Sequence, residues 1–108
     1  ATMLNLLDLK KAQKVLEIGS GCGYVLALMS KIIGNKGKVY GVEIVKELSE
    51  KSKENLKGYK NIKVYKRDGR KGLKEAAPFD RIIISAACKE IPKKILSQLK
   101  DKGIVVAP

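Results

Sequence analysis

"VLEIGSGCGY", residues 15–24, runs from an apolar stretch carrying Glu17 into three glycines spaced two apart, Gly19, Gly21 and Gly23. "VLALMSKII" (25–33) follows at once, with Leu26, Met29, Ile32 and Ile33 at helical spacing and Gly34 as a stop. The pattern predicts strand, tight turn and helix. Glycine is costly to order and supplies no side chain, so three in one turn need a reason. One reason is a tight turn that binds nothing. The other is a backbone that must approach a ligand more closely than any Cβ would permit.

The remainder of the chain repeats the alternation. "KVYGVEI" (38–44) predicts a second strand and "KELSEKSKENLKGY" (46–59) a polar helix stopped at Gly58. "NIKVYKRD" (61–68) alternates as a third strand, and "GRKGLKEAAPFD" (69–80) is turn-rich with room for one helical turn. "RIIISAA" (81–87) reads as a fully apolar fourth strand. "IPKKILSQLK" (91–100) opens a helix at Pro92 with Ile95, Leu96 and Leu99 on one face, and "GIVVAP" (103–108) gives the fifth strand. Strands alternating with helices imply right-handed βαβ units, hence an α/β, doubly wound, mostly parallel sheet of about five strands with helices on both faces. In such sheets ligands bind beyond the carboxyl ends of the strands, where strand order reverses, and the glycine turn belongs there.

Composition narrows the function classes. The 108 residues, 44% hydrophobic, suffice for one domain over 1–108. No run approaches the roughly 18 apolar residues that span a bilayer, and no secretory pattern opens the chain, so a cytoplasmic protein without membrane partners is expected. Cys22 and Cys88 lack paired zinc-site spacing and there is no histidine, which argues against a metal. The net charge of +12 invites an anionic partner such as nucleic acid. Against it, all the cations but Arg67, Arg70 and Arg81 are lysines, spread along the chain with acids interleaved, and aromatics are few. A solvated lysine-rich surface is the favoured reading; nucleic acid is not excluded.

The spacing of the glycines discriminates among ligands. A dinucleotide fingerprint, G-x-G-x-x-G, needs its third glycine where this chain has Tyr24. The observed G-x-G-x-G preceded by Glu17 resembles the first signature of S-adenosyl-L-methionine-dependent methyltransferases of Rossmann-like fold. That resemblance implies backbone contacts to the cofactor from Gly19, Ser20 and Gly21. Glu43 ends the second strand 24 residues after the first glycine, where a carboxylate can accept from both ribose hydroxyls. It can also be read as an acid at a helix start, favoured by the macrodipole. Ile44 offers an apolar face for adenine. Asp68 and Gly69 read either as a common Asp-Gly turn or as a contact to the adenine amino group.

"VLEIGSGCGY", "YKRDGRKGL", "APFDRIIISAACKEIP" and "SQLKDKGIVVAP" are, in this order and spacing, very similar to the protein-L-isoaspartate O-methyltransferase family. "PFDRIII" followed by small residues, "EIP" and "QLK" is the most specific part. The resemblance implies methylation of the free carboxyl of L-isoaspartyl residues in damaged proteins or peptides. It implies a cofactor-binding set of Glu17, Gly19, Ser20, Gly21, Glu43, Ile44, Asp68, Gly69 and Ser85, and no metal. Cys22 stands where the family more often has serine, and Lys89 interrupts the small residues after the fourth strand.

By the same resemblance, the family's catalytic serine belongs to a strip before the segment matching "ATMLNLL", and more strands follow the segment matching "VVAP". A central portion of a longer protein is therefore expected, with no catalytic residue assigned within it and the "GIVVAP" edge open to pairing with those segments or another chain. The chemistry suits a chain without histidine: the sulfonium is already activated and an isoaspartyl carboxylate is ionised at pH 7, so transfer needs orientation more than a base. Methyl transfer to RNA or a small molecule, and a non-catalytic nucleotide-binding module, remain the alternatives. "SAACKEIP" occupies the place where a base-amine methyltransferase would normally carry an N/D-P-P-Y motif.

Overall fold

A computed structural model describes residues 2–108. Its elements are α1 (Thr2–Leu7), β1 (Lys14–Ile18), α2 (Tyr24–Ile33), β2 (Lys38–Glu43), α3 (Lys46–Asn55), β3 (Ile62–Lys66), β4 (Phe79–Ile84), α4 (Lys93–Leu96) and β5 (Leu99–Val106). Two 3-10 turns, Gly69–Lys71 and Lys74–Ala76, fill the stretch expected to hold a single helical turn. All five strands are parallel, in the order β3-β2-β1-β4-β5. Strand order reverses between β1 and β4, which places a ligand-binding crevice at their carboxyl ends.

Alternation along each strand sends side chains to two separate cores. Val15, Val39, Ile83 and Val106 point to one face, where Leu7 of α1, Leu26, Met29 and Ile33 of α2 and Leu56 after α3 cover them. Leu16, Ile18, Val42, Phe79, Ile82 and Ile84 point to the other, under Leu73 and Ile95. Gly41 faces α2 and has no room for more: a Cβ there would stand 2.6 Å from Leu26 Cδ1 and 2.9 Å from Ser20 Oγ. The close seat of α2 on β2 therefore rests on that missing methyl.

Several boundaries differ from the sequence expectation, and α3, expected to run to a stop at Gly58, ends at Asn55. The fourth strand is Phe79–Ile84, and residues 85–92 form a loop. The helix expected over 91–100 is a single turn, Lys93–Leu96, with Ile95 buried and Leu96 exposed. Leu99 belongs to β5 because Gln98 is committed elsewhere: its Oε1 accepts from Leu73 N at 2.8 Å and its Nε2 donates to Lys71 O at 2.9 Å. Buried and fixed at both ends, Gln98 turns the chain back toward the sheet, where Phe79 N donates to its carbonyl.

α1 was not expected. It is held by Arg81, only 6% exposed, whose Nε donates to Leu7 O and Asp8 O at 2.7 and 3.1 Å. No helix among the described residues is long and apolar enough to cross a membrane.

Candidate functional site

At the carboxyl ends of the strands the glycine turn leaves β1 and the loop 85–92 leaves β4, and they frame a cavity of about 580 Å³. Gly19, Gly21, Glu43, Ile44, Asp68 and Gly69 line it. Its floor is apolar, made by strand-end residues Ile18, Val42 and Ile84 with Ile95 from α4. The glycines serve two purposes. Gly19 (φ +79°) is crowded by protein, since a Cβ would stand 2.9 Å from Ala86 Cβ. Gly21 (φ +59°) meets nothing within 4 Å and presents bare backbone to the open cleft. The tight-turn explanation accounts for Gly19, whereas the space beside Gly21 is open.

Glu43 organises this rim. It is 6% exposed, and Gly21 N donates to its Oε1 at 2.7 Å while Val45 N donates to Oε2 at 3.0 Å. Each carboxylate oxygen has lone pairs beyond the one used. The carboxylate thus pins the glycine turn to the end of β2 and still has acceptor capacity toward the cavity. Ile44 and Val45, both exposed, continue this wall as an apolar surface with Leu48.

Asp68 is held differently. Arg70 donates to its carboxylate from N at 3.0 Å, from Nε at 3.1 and 3.0 Å and from Nη2 at 2.6 Å. These bonds hold its carboxyl down at about 2. Arg70, which also lines the cavity, was missed by sequence reasoning, although an Asp-Gly-Arg turn brings an arginine back to an aspartate two residues earlier. Gly69 sits against the floor, where a Cβ would overlap Ile18 Cγ2.

Glu17, Ser20 and Ser85 do not line the cavity. Glu17 is 1% exposed and accepts from Ser85 Oγ at 2.5 Å through Oε2. Its Oε1 and the buried Ser20 Oγ have no hydrogen-bond partner in the structure. Burial pushes the Glu17 carboxyl up to about 7; the Ser85 hydrogen bond opposes this and the charge of Glu43 adds to it. Ser85 N donates to Ile18 O at 2.8 Å, so this pair staples the ends of β1 and β4 beneath the cleft. Cys22 and Cys88 are free and exposed, Cys88 on the cavity wall. No group of three or more metal-ligating side chains gathers among the described residues.

A family model described as "Protein-L-isoaspartate(D-aspartate) O-methyltransferase (PCMT)" matches residues 1–108. The chain belongs to the protein-L-isoaspartate O-methyltransferase family. Protein-L-isoaspartate O-methyltransferase 2 of Archaeoglobus fulgidus is 46% identical over 110 residues, covering 100% of this chain and 50% of that protein. The protein-L-isoaspartate O-methyltransferase of Methanococcus vannielii is 51% identical over 104 residues, covering 94% of this chain and 50% of its own length. The chain thus spans about half the length of these curated relatives.

Among solved structures, a protein-L-isoaspartate O-methyltransferase superposes with a TM-score of 0.95 at 36% identity, over 99% of this chain and 34% of the other. A putative member from Plasmodium falciparum, in complex with S-adenosyl-L-homocysteine, gives 0.85 at 27% identity over 99% and 56%. The five-stranded sheet is the Rossmann-like methyltransferase fold expected from the glycine turn.

Proposed function

We propose that the chain is the S-adenosyl-L-methionine-binding core of an enzyme that methylates the free carboxyl of L-isoaspartyl residues in damaged proteins and peptides. The observation that carries this is the Glu43 carboxylate, fixed under the backbone of Gly21 at the rim of an apolar cleft. A nucleoside needs that combination: acceptors for two ribose hydroxyls beside an apolar slot for a base. The bare backbone at Gly21 leaves room for the amino-acid portion of the cofactor. In this reading Gly19, Ser20 and Gly21 bind through backbone, Glu43 holds the ribose, Ile44 packs on adenine, and Asp68 with Gly69 meets its amino group. Arg70 then has to yield an Asp68 oxygen or leave recognition to the Gly69 backbone. Glu17 and Ser85 support the turn from below.

The cofactor supplies a methyl group on a positively charged sulfur. The chain's own task is to orient that group and to exclude water from it. Ionised at neutral pH, the isoaspartyl carboxylate already carries the attacking electron pair. Transfer joins its oxygen to the methyl carbon as the carbon–sulfur bond breaks, and no proton moves. Alignment is therefore worth more than acid–base catalysis, and well-oriented reactants can recover about 7–11 kcal/mol of barrier. An apolar floor of Ile18, Val42 and Ile84 suits water exclusion. The free edge of β5 offers a place for further chain to pair, and free thiols at Cys22 and Cys88 fit a cytoplasmic compartment.

Tritiated methyl transfer tests the reading. With the family's flanking segments restored to this core, label from S-adenosyl-L-methionine should enter an isoaspartyl peptide and leave as methanol on mild base, whereas residues 1–108 alone should transfer little. Label in RNA or in a small molecule would replace the substrate assignment. Calorimetry with S-adenosyl-L-homocysteine should show binding, and its absence would remove the cofactor assignment.

A further inference from the structure

The pole of the sheet opposite the cofactor cleft carries a feature that methyl transfer does not use. Two adjoining hollows of about 630 and 320 Å³ share Lys38, Lys60 and Asn61 at the amino ends of β2 and β3. Lys31 and Lys36 line the first and Lys63 the second, and neither is lined by a carboxylate. Lys11 joins them, its Nζ 3.8 Å from the place a Cβ on Gly34 would take. All six lysines are exposed, and none enters an ion pair among the described residues. The acids that do pair line neither hollow: Arg67–Glu75 and Arg70–Asp68 lie beside the cleft, while at the amino ends of the strands Asp80 pairs with Lys100 and Asp8 with Lys10 and Arg81.

The backbone beneath is fixed. Asn61 Nδ2 donates to Gly34 O at 3.1 Å, Ser30 Oγ donates to Asn61 Oδ1 at 2.6 Å, and Lys38 N donates to Gln13 O at 3.0 Å. Gathering unpaired like charges on a rigid surface costs self-repulsion that interspersed acids would relieve. Solubility alone does not call for such a cluster.

We propose that this amino-terminal pole is a docking surface for the phosphate backbone of duplex nucleic acid, without regard to sequence. Lysine ammoniums act as point charges toward phosphate oxygens. The chain's three arginines all lie outside these hollows, so there is no fork to read base edges. Tyr59 and Tyr40, the lining aromatics, are both half-buried, so no stacking platform for a single strand is offered. A duplex presents one charge about every 1.7 Å along its axis, dense enough to engage several lysines at once. The carboxylates of a folded acidic protein are sparser, which favours nucleic acid. The inference is independent of the methyltransferase reading, because the two surfaces lie at opposite ends of the sheet.

Fluorescence anisotropy with a short fluorescein-labelled DNA duplex, titrated across a salt series, tests it. If all six lysines engage, log K should fall against log salt with a slope of about −5. The triple variant Lys31→Gln, Lys36→Gln, Lys60→Gln should flatten the slope by about 3 and weaken low-salt binding roughly tenfold or more. A control, Lys51→Gln, Lys53→Gln, Lys89→Gln, removes the same charge elsewhere and should leave the slope unchanged. Thermal unfolding of both variants confirms that they are folded. Equal losses in the two variants would overturn the proposal by showing that only net charge matters. So would no binding at low salt, affinities that follow base sequence, or tighter binding of polyglutamate than of the duplex.

Discussion

At Glu17 an ionisable group is buried with half of its hydrogen-bonding capacity unused. Its carboxyl is pushed up to about 7 from an ordinary 4.5, so the folded state holds a proton that the unfolded chain releases. Stability from this group is therefore full below about pH 4.5 and is lost as pH rises through about 7. The span corresponds to roughly 3 kcal/mol as an upper figure. Urea midpoints measured between pH 5 and 8 should fall in the parent chain and stay level in Glu17→Gln, which keeps an acceptor for Ser85. A parallel fall in both would assign the pH dependence to another group. Glu43 makes a different prediction. Glu43→Gln keeps one oxygen for Gly21 N but loses the charge, and calorimetry should show cofactor affinity reduced by about 1.5–3 kcal/mol. Unchanged affinity would remove Glu43 from ribose binding. The position of Glu43 at the end of β2 was legible because strand ends and spacing are local. The sequence could not reveal Glu17 with Ser85, because that bond joins residues 68 apart through the pairing of β1 with β4.

Among the elements, the same distinction explains which boundaries were legible. β1, α2 and β2 follow from local periodicity and glycine stops, and each lies within a residue or so of its expected bounds. α4 and β5 do not, because the buried amide of Gln98, fixed to Leu73 N and Lys71 O, outweighs the helical spacing of Ile95, Leu96 and Leu99. α1 was illegible for a related reason: its last carbonyl is satisfied by Arg81, 74 residues from Leu7. That contact predicts a measurable coupling. Arg81→Met removes a buried guanidinium that bonds Leu7 O and Asp8 O, leaving carbonyls at the end of α1 without a partner. A loss of about 2–4 kcal/mol is expected, since hydrogen bonds to charged groups are worth about 1.5–3 kcal/mol and desolvated orphans add to that. Hydrogen exchange should show α1 losing protection before the sheet. Uniform loss across all strands would mean that Arg81 supports the core and not the docking of α1.

The whole molecule measures only 32 × 28 × 28 Å and carries a net charge of +12. At about 0.01 M salt the screening length is about 30 Å, so every charge feels every other across the folded chain; at about 0.15 M it is about 8 Å and only neighbours interact. Unfolding relieves the repulsion, because a radius of gyration of 12.3 Å gives way to about 33 Å for an unfolded chain of this length. The opposing effect is salt weakening of the ion pairs. Most of these are exposed, such as Lys46–Glu50 and Lys57–Glu54, and an exposed pair is worth about 0–1 kcal/mol at best. Repulsion should therefore prevail, and the urea midpoint should rise as NaCl goes from about 0.01 to about 0.15 M, by an amount of the order of 1 kcal/mol in stability. Neutralising Lys31, Lys36 and Lys60 should reduce that rise more than neutralising Lys51, Lys53 and Lys89, because the first three stand in a cluster without carboxylates. A midpoint that falls with added salt would show that paired charges, and not the lysine-rich pole, dominate the electrostatics of the fold.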